Sequence, residues 1–427
     1  MTPYLPRVVD AELGALLDQV AAVAVDGPKG VGKTATASRY ATTTIELDDP
    51  AQLAVAAADP ALLLQRERPI LLDEWQRLPV VWDTVRRAVD RDPTPNQFLL
   101  TGSASPGEHD THSGAGRIIR LRMRPLALAE RGVEQPTVSL RSLLLGARGP
   151  IEGATGFSLA EYTHEILASG FPGFRHLHGR ALRAQLDGYI ARIVDRDFEE
   201  QGHRVRRPET LRRWLAAYAA ASSTAASLET VRDAATGGER EKPARTSTIL
   251  YREVLERLWI IDPVPPWLPS RNNLNTLAQA PKHQIADPAL AARLLGVDAD
   301  ALLSGGHGSG PASFTPRDGS LLGQLFESLV TLSVRVYAQA AEALVQHLRT
   351  HGGRHEVDLI VARSDRRVLA VEVKLSATIA DDDVKHLHWL REQIGDDLLD
   401  AIIVTTGPQA YRRKDGIGVV PLALLGP

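Results

Sequence analysis

VAAVAVDGPKGVGKTATASRY, residues 20–40, joins a short apolar run to a glycine-rich loop and then to a stretch of small helix-forming residues. The run ends at Asp26, and Gly27-Pro28-Lys29-Gly30-Val31-Gly32-Lys33-Thr34 follows at once. This is G-x-x-x-x-G-K-[ST] between an expected strand and an expected helix, the context that gives the pattern physical meaning. Glycines let the backbone curl so that successive N–H groups point inward at a phosphate chain. A helix starting near Lys33 adds its positive end. Lys33 is placed to reach the β- and γ-phosphates, and the Thr34 hydroxyl to hold Mg²⁺. The expected ligand of Gly27 to Thr34 is therefore a nucleoside triphosphate with its metal.

Composition bounds what surrounds this loop. A chain of 427 residues exceeds a single core, and two or three domains are expected. Its 44% hydrophobic and 24% charged residues are ordinary for a globular protein. A formal net charge of −3 gives no overall basic field, so any nucleic-acid contact must come from a local patch. Absence of cysteine removes disulfides, cysteine-based zinc sites and a thiol nucleophile together. No run approaches the ~18 apolar residues of a membrane span, and the N-terminus MTPYLPRVVDAEL has no signal pattern. No membrane partner and a cytoplasmic location are expected.

Along the first domain, residues 8–19 read as a helix and 42–47, with alternating β-branched residues, as a second strand. Asp48-Asp49-Pro50 then caps a helix over 51–58. Pro69-Ile70-Leu71-Leu72-Asp73-Glu74 is a buried-type strand ending in two carboxylates. It resembles the Walker B segment of P-loop ATPases: Asp73 would hold Mg²⁺ and Glu74 would act as general base on water. A helix-capping Asp-Glu pair is the alternative. Gln97-Phe98-Leu99-Leu100-Thr101-Gly102-Ser103-Ala104 is a further strand. Thr101 or Ser103 at its carboxyl end could meet the γ-phosphate as a sensor, or simply close the strand in a turn.

GPKGVGKT, ILLDEWQRLP, FLLTGSA and GRIIRLRMRPLALAE, in this order, resemble the bacterial and archaeal AAA-type ATPases that carry a C-terminal domain of unknown function. The resemblance implies ATP and Mg²⁺ as cofactors. It makes Arg117 a candidate γ-phosphate partner, in cis or from a neighbouring copy, and the second case would require a homo-oligomer. Arg117, Arg120, Arg122 and Arg124 also alternate as the solvent face of a strand would. His109-Asp110-Thr111-His112 reads as a surface loop and receives no role.

Helical patterns follow over 159–169, 181–199, 210–221, 227–234 and 247–259, and Ile260 to Val264 turns β-like. Helices followed by an extended hairpin outline a winged helix, and the resemblance implies the same for the family's second domain. Arg204, Arg206, Arg207, Arg212 and Arg213 form the densest basic patch. It would meet DNA phosphates or serve as a solvated helix face.

After a Gly/Ser-rich linker at 304–311, a helix over 321–338 precedes strands at 343–350, 355–362 and 367–374. A helix at 381–394 and strands at 399–406 and 417–422 complete the chain. This order is the core layout of PD-(D/E)xK nucleases. Asp358 lies mid-strand, and Glu372-Val373-Lys374 ends the next strand, so Glu372 and Lys374 share a face. Asp358 and Glu372, with Glu327 on the preceding helix, are the candidate Mg²⁺ ligands; Lys374 would orient the attacking water. A salt-bridged cluster without metal would look identical in sequence.

The fold class expected is α/β. It comprises a P-loop AAA-type ATPase domain at 1–135, a helical and winged-helix domain at 136–304, and a restriction-endonuclease-like domain at 311–427. Two functions compete: an ATPase coupled to DNA binding or cleavage, and a nucleotide-dependent switch whose C-terminal domain only binds a partner.

Overall fold

A computed structural model of the chain describes residues 4–103, 116–146, 148–236, 242–268, 280–303 and 320–427. The loop at His109–His112, Ala104 and the linker at 304–311 lie outside the described residues. Those residues fall into two compact units.

The first unit contains the described residues up to Pro125, together with 171–173 and 255–260. Its centre is a five-stranded sheet of β1 (Ala22–Asp26), β2 (Thr43–Glu46), β3 (Ile70–Asp73), β4 (Phe98–Gly102) and β5 (Ile119–Arg122). Spatial order is β2-β3-β4-β1-β5, and every pairing is parallel. Every residue of β1, β3 and β4 is buried. A parallel strand covered on both faces must be apolar throughout, which explains why AVAVD, ILLD and FLLTG show no alternation. One face packs against helix Val80–Arg91 through Val81, Trp82, Val85 and Val89. The Trp75 and Trp82 rings lie 4.7 Å apart in that layer. Helix Pro50–Ala58 begins where expected, with the Asp49 carboxylate accepting the Ala51 N–H. The helix after the glycine loop is shorter than the sequence suggested, ending at Ala37 rather than near Tyr40.

The second unit runs from Leu126 to the C-terminus apart from those two insertions. Short strands β6 (Val138–Ser139) and β7 (Gly153–Ala154) come first. Helices Leu159–Leu167, Gly179–Arg192, Pro208–Ala220 and Leu228–Ala234 follow, and Pro288–Leu295 packs against three of them. Beyond helix Ser320–Ala340 lie β8 (Leu344–Arg349), β9 (Glu356–Ala362), β10 (Val368–Lys374), β11 (Leu398–Thr405), β12 (Gln409–Arg412), β13 (Gly418–Pro421) and β14 (Leu425–Gly426). A seven-stranded sheet takes the order β7-β12-β13-β11-β10-β9-β8. Strands β8, β9 and β10 form an antiparallel meander. Helix Lys385–Ile394 then crosses over to β11, which is parallel to β10, as a βαβ unit requires.

Two features here were not read from sequence. β7 reaches the sheet edge from far up the chain, and β12 returns as a short antiparallel strand. The three aspartates at 381–383 form a 3₁₀ turn ahead of the helix instead of its first turn. Among the described residues just after Trp259 the chain forms isolated bridges, Ile261 to Ile285, Val264 to Lys282 and Pro266 to His347. Residues 265–267 then lie along β8, with Trp267 N–H donating to the His347 carbonyl at 2.7 Å and His347 N–H to that of Pro265 at 3.0 Å.

Candidate functional site

The loop from Gly27 to Thr34 leaves the carboxyl end of β1 and is shaped by its glycines. A Cβ on Gly27 would collide with the Met123 carbonyl oxygen. Gly30 and Gly32 adopt φ of +77° and +100°, where an L side chain is strained. Val31 is buried, its N–H donating to the Pro28 carbonyl at 3.4 Å, and Lys29 stands half-buried beside it. Arg7 acts on this loop directly. Its guanidinium donates to the Val31 carbonyl at 3.0 Å and to that of Arg124 at 2.6 Å.

Lys33 is buried, and its ammonium donates to the carbonyls of Gly27 (2.9 Å) and Pro28 (3.0 Å). Burial lowers its pKa to about 8, against the pull of Glu74, Asp26 and Asp73. Thr34 Oγ1 donates to Asp73 Oδ1 at 2.8 Å, and Thr101 Oγ1 donates to the same oxygen. The parallel register sets Asp73 directly opposite Thr101. Hydroxyl and carboxylate oxygens are the donors Mg²⁺ prefers, so Thr34 and Asp73 fit that ion.

Glu74 has left-handed backbone angles (φ 52°, ψ 42°), a conformation costing a non-glycine residue about 1–3 kcal/mol. The turn aims its carboxylate at Ser103, whose hydroxyl donates at 3.0 Å. Gln76 Nε2 donates to Glu74 and, at 3.2 Å, to Ser103 Oγ. Gln76 was not singled out from sequence, although its place two residues after the Asp-Glu pair was the available signal.

Arg117 is not brought to this place. It precedes β5, whose register runs from Val23 opposite Ile119 to Asp26 opposite Arg122. Its guanidinium pairs with Asp90 at 2.7 Å, at the end of helix Val80–Arg91. At ~3.3 Å per strand residue, that end of the sheet is roughly 16 Å from the loop, so within one chain Arg117 does not serve the γ-phosphate. Arg120 on β5 reaches the carboxyl end of β1 instead, donating to Asp26 Oδ2 at 2.5 Å. Burial raises the Asp26 pKa while Arg120 opposes it.

A second cluster lies in the C-terminal sheet. Asp358 and Glu372 stand on adjacent strands, with Glu327 on helix Ser320–Ala340. Sequence reasoning missed the group that joins them. The Lys282 ammonium, 1% exposed, lies 2.9 Å from Asp358, 3.0 Å from Glu327 and 3.3 Å from Glu356. Asp358 Oδ2 also accepts the Val373 N–H at 2.9 Å, and Lys374 pairs with Glu372 at 3.0 Å. Burial, reinforced by Asp358, raises the carboxyls of Glu327 and Glu372 to about 8. Asp358 is held below its ordinary value despite burial, because Lys282 faces it. Glu356 could have been found, since it shares a strand face with Asp358. Lys282 carried no local signal. Among the described residues no group of three or more His, Cys, Asp or Glu side chains is arranged to hold a metal ion. The expected Mg²⁺ does not fit here, because Glu327 and Asp358 are bonded to the Lys282 ammonium and Glu372 to that of Lys374.

Within the arginine patch, Arg212 pairs with Glu209 at 2.6 Å and Asp195 at 3.2 Å, while Arg213 donates to the Ala235 carbonyl at 3.3 Å. Among the described residues no helix is long and apolar enough to cross a membrane.

Comparison with known proteins bears on the N-terminal region as a whole. Residues 19–131 match the model of an AAA domain. The N-terminal region resembles an AAA-type ATPase domain. Residues 159–301 and 322–425 each match a domain of unknown function, DUF8612 and DUF4143 respectively. Uncharacterized protein Rv2008c of Mycobacterium tuberculosis (strain ATCC 25618 / H37Rv) is 28% identical over 302 residues, 68% of this chain and 60% of the relative. Uncharacterized protein Mb2031c of Mycobacterium bovis aligns with the same identity and coverage. The alignment thus spans 60% of the length of these relatives.

Proposed function

We propose that the chain binds ATP with Mg²⁺ in the loop Gly27–Thr34 and hydrolyses it, and that the C-terminal module responds to nucleotide state. The observation that carries this reading is the convergence of the Thr34 and Thr101 hydroxyls on one carboxylate oxygen of Asp73, with Glu74 held beside them by Ser103 and Gln76. Thr34 and Asp73 would hold Mg²⁺, which when bound neutralises charge on the phosphate oxygens. Lys33 exchanges its two loop carbonyls for the β- and γ-phosphates, a gain in charge complementarity. Glu74 accepts the proton of the attacking water, while Ser103 and Gln76 fix the carboxylate's direction. Phosphate release from ATP tests the proposal. Lys33→Ala should lose ATP binding, and Glu74→Gln should keep binding while hydrolysis falls at least ~100-fold. Hydrolysis by Glu74→Gln at the wild-type rate would refute the assignment.

For the C-terminal module, the strand order and the Glu327, Asp358, Glu372 and Lys374 set support a nuclease-like fold. Because Lys282 is bonded to two of its carboxylates, Glu327 and Asp358, and Lys374 to the third, Glu372, the partner-binding switch is favoured over metal-dependent cutting of DNA.

A further inference from the structure

We infer that the carboxylate cluster of the C-terminal sheet is closed by an internal cation: the Lys282 ammonium stands where a divalent ion would have to bind, and the site takes no Mg²⁺ or Mn²⁺. The inference rests on the geometry of this cluster and is independent of ATP hydrolysis at the N-terminal loop. An ammonium has three N–H donors, and three carboxylates, those of Glu327, Glu356 and Asp358, lie within 3.3 Å of this one. Every donor of the lysine is thereby matched. A metal ion bound by the same oxygens would stand against a fixed positive charge inside the protein, where little solvent screens the repulsion.

Lys282 is also held from behind. Its backbone N–H donates to the Val264 carbonyl at 3.0 Å, and its carbonyl accepts the Val264 N–H at 2.9 Å. The next two residues are anchored as well. His283 N–H donates to the Thr224 carbonyl at 2.8 Å, and the Gln284 side chain bonds Ser223 at 2.9 Å and Ser328 at 2.8 Å. Ser328 adjoins Glu327 on the same helix, so the backbone that carries the lysine and the helix that carries its partner are tied together. The side chain runs into the protein from a clamped backbone, with 1% of it exposed. Lys374, the other ammonium, is engaged by Glu372 and leaves the Lys282 position undisturbed.

This arrangement separates a metal-dependent enzyme from a domain that keeps the layout with an organic cation in its place. The test is Mn²⁺ binding by the nucleotide-free full chain, read by calorimetry and by thermal melting. Wild type and Asp358→Asn should give the same Mn²⁺ isotherm, since Asp358 contributes no metal ligand. Lys282→Met, which keeps the methylene packing and removes the charge, should lower Tm by several degrees. Millimolar Mn²⁺ should then restore it, a dependence absent from wild type. Mn²⁺ binding by wild type that Asp358→Asn or Glu327→Gln removes would overturn the inference. So would a Lys282→Met protein that melts like wild type. Should Lys282→Met fail to fold, the comparison of wild type with Asp358→Asn and Glu327→Gln still decides.

Discussion

Gly102 shows how a single hydrogen atom can matter to chemistry carried by its neighbours. It stands between Thr101 and Ser103 at the end of β4, and a Cβ there would lie 2.6 Å from Trp75 Nε1 and 2.8 Å from Gln76 Oε1. Gly102→Ala must displace Gln76, one of the two side chains that aim Glu74. Overpacking of this kind costs about 1–3 kcal/mol. The expected result is a lower Tm with hydrolysis reduced and ATP affinity retained, because Lys33 and Thr34 are untouched; melting and phosphate release measure both. The residues of the loop were legible in sequence because their chemistry is local: eight consecutive positions specify one backbone shape. Lys282 was not legible, since its three partners lie 45 to 76 residues further along the chain. Nothing at positions 281–284 announces them.

Among elements, the strands of the first sheet were readable as apolar runs, yet strand direction decided more than strand identity. Arg117 and Arg120 sit three residues apart, yet Arg120 stands opposite Ala24 and its side chain reaches Asp26, while Arg117 precedes the strand and pairs with Asp90. Sequence alternation gives the face a side chain occupies and not the end of the sheet it reaches. Helix Leu159–Leu167 makes a different point. Glu165 is buried there, bonded to Arg131 at 2.9 Å and to Arg175 at 2.8 Å. Burial alone would raise its pKa, but the two guanidinium groups outweigh it and the carboxyl falls below the usual 4.5. A carboxylate with a depressed folded-state pKa stabilises the fold above its unfolded value and loses that contribution as pH drops through the folded one. Glu165→Gln should therefore cost about 3 kcal/mol at neutral pH, the scale of a broken buried pair. The gap from wild type should narrow below pH 4.5. Urea unfolding at pH 7 and pH 3.5 would measure both values, and a pH-independent difference would contradict the electrostatic account.

For the whole molecule, the three family matches and the alternation of helices and strands describe a chain with ATPase-like machinery at one end and two domains of unknown function after it. The pattern helix, three strands, helix, strand was readable at the far end because each element is long and periodic. Contributions from β7 and β12 were not, being short strands whose pairing depends on partners distant in the chain. If the second module cuts DNA, plasmid should be nicked in Mg²⁺ or Mn²⁺, and Asp358→Ala should abolish it. The Lys282 cluster leads us to expect intact plasmid with both ions, read on an agarose gel, and nicking lost on Asp358→Ala would restore the metal-dependent reading.

The segment at 265–267 that lies along β8 has a consequence for how copies of this chain behave in concentrated solution. Unpaired strand edges are templates on which other chains can add, the first step of many aggregates. Here β8 is bridged by Pro266, and its His347 backbone is satisfied in both directions by Pro265 and Trp267. At the opposite edge, β7 is two residues long, too short to seed a ladder. A large sheet thus ends on one side in a covering strap and on the other in a stub, which protects the protein against growth by strand addition.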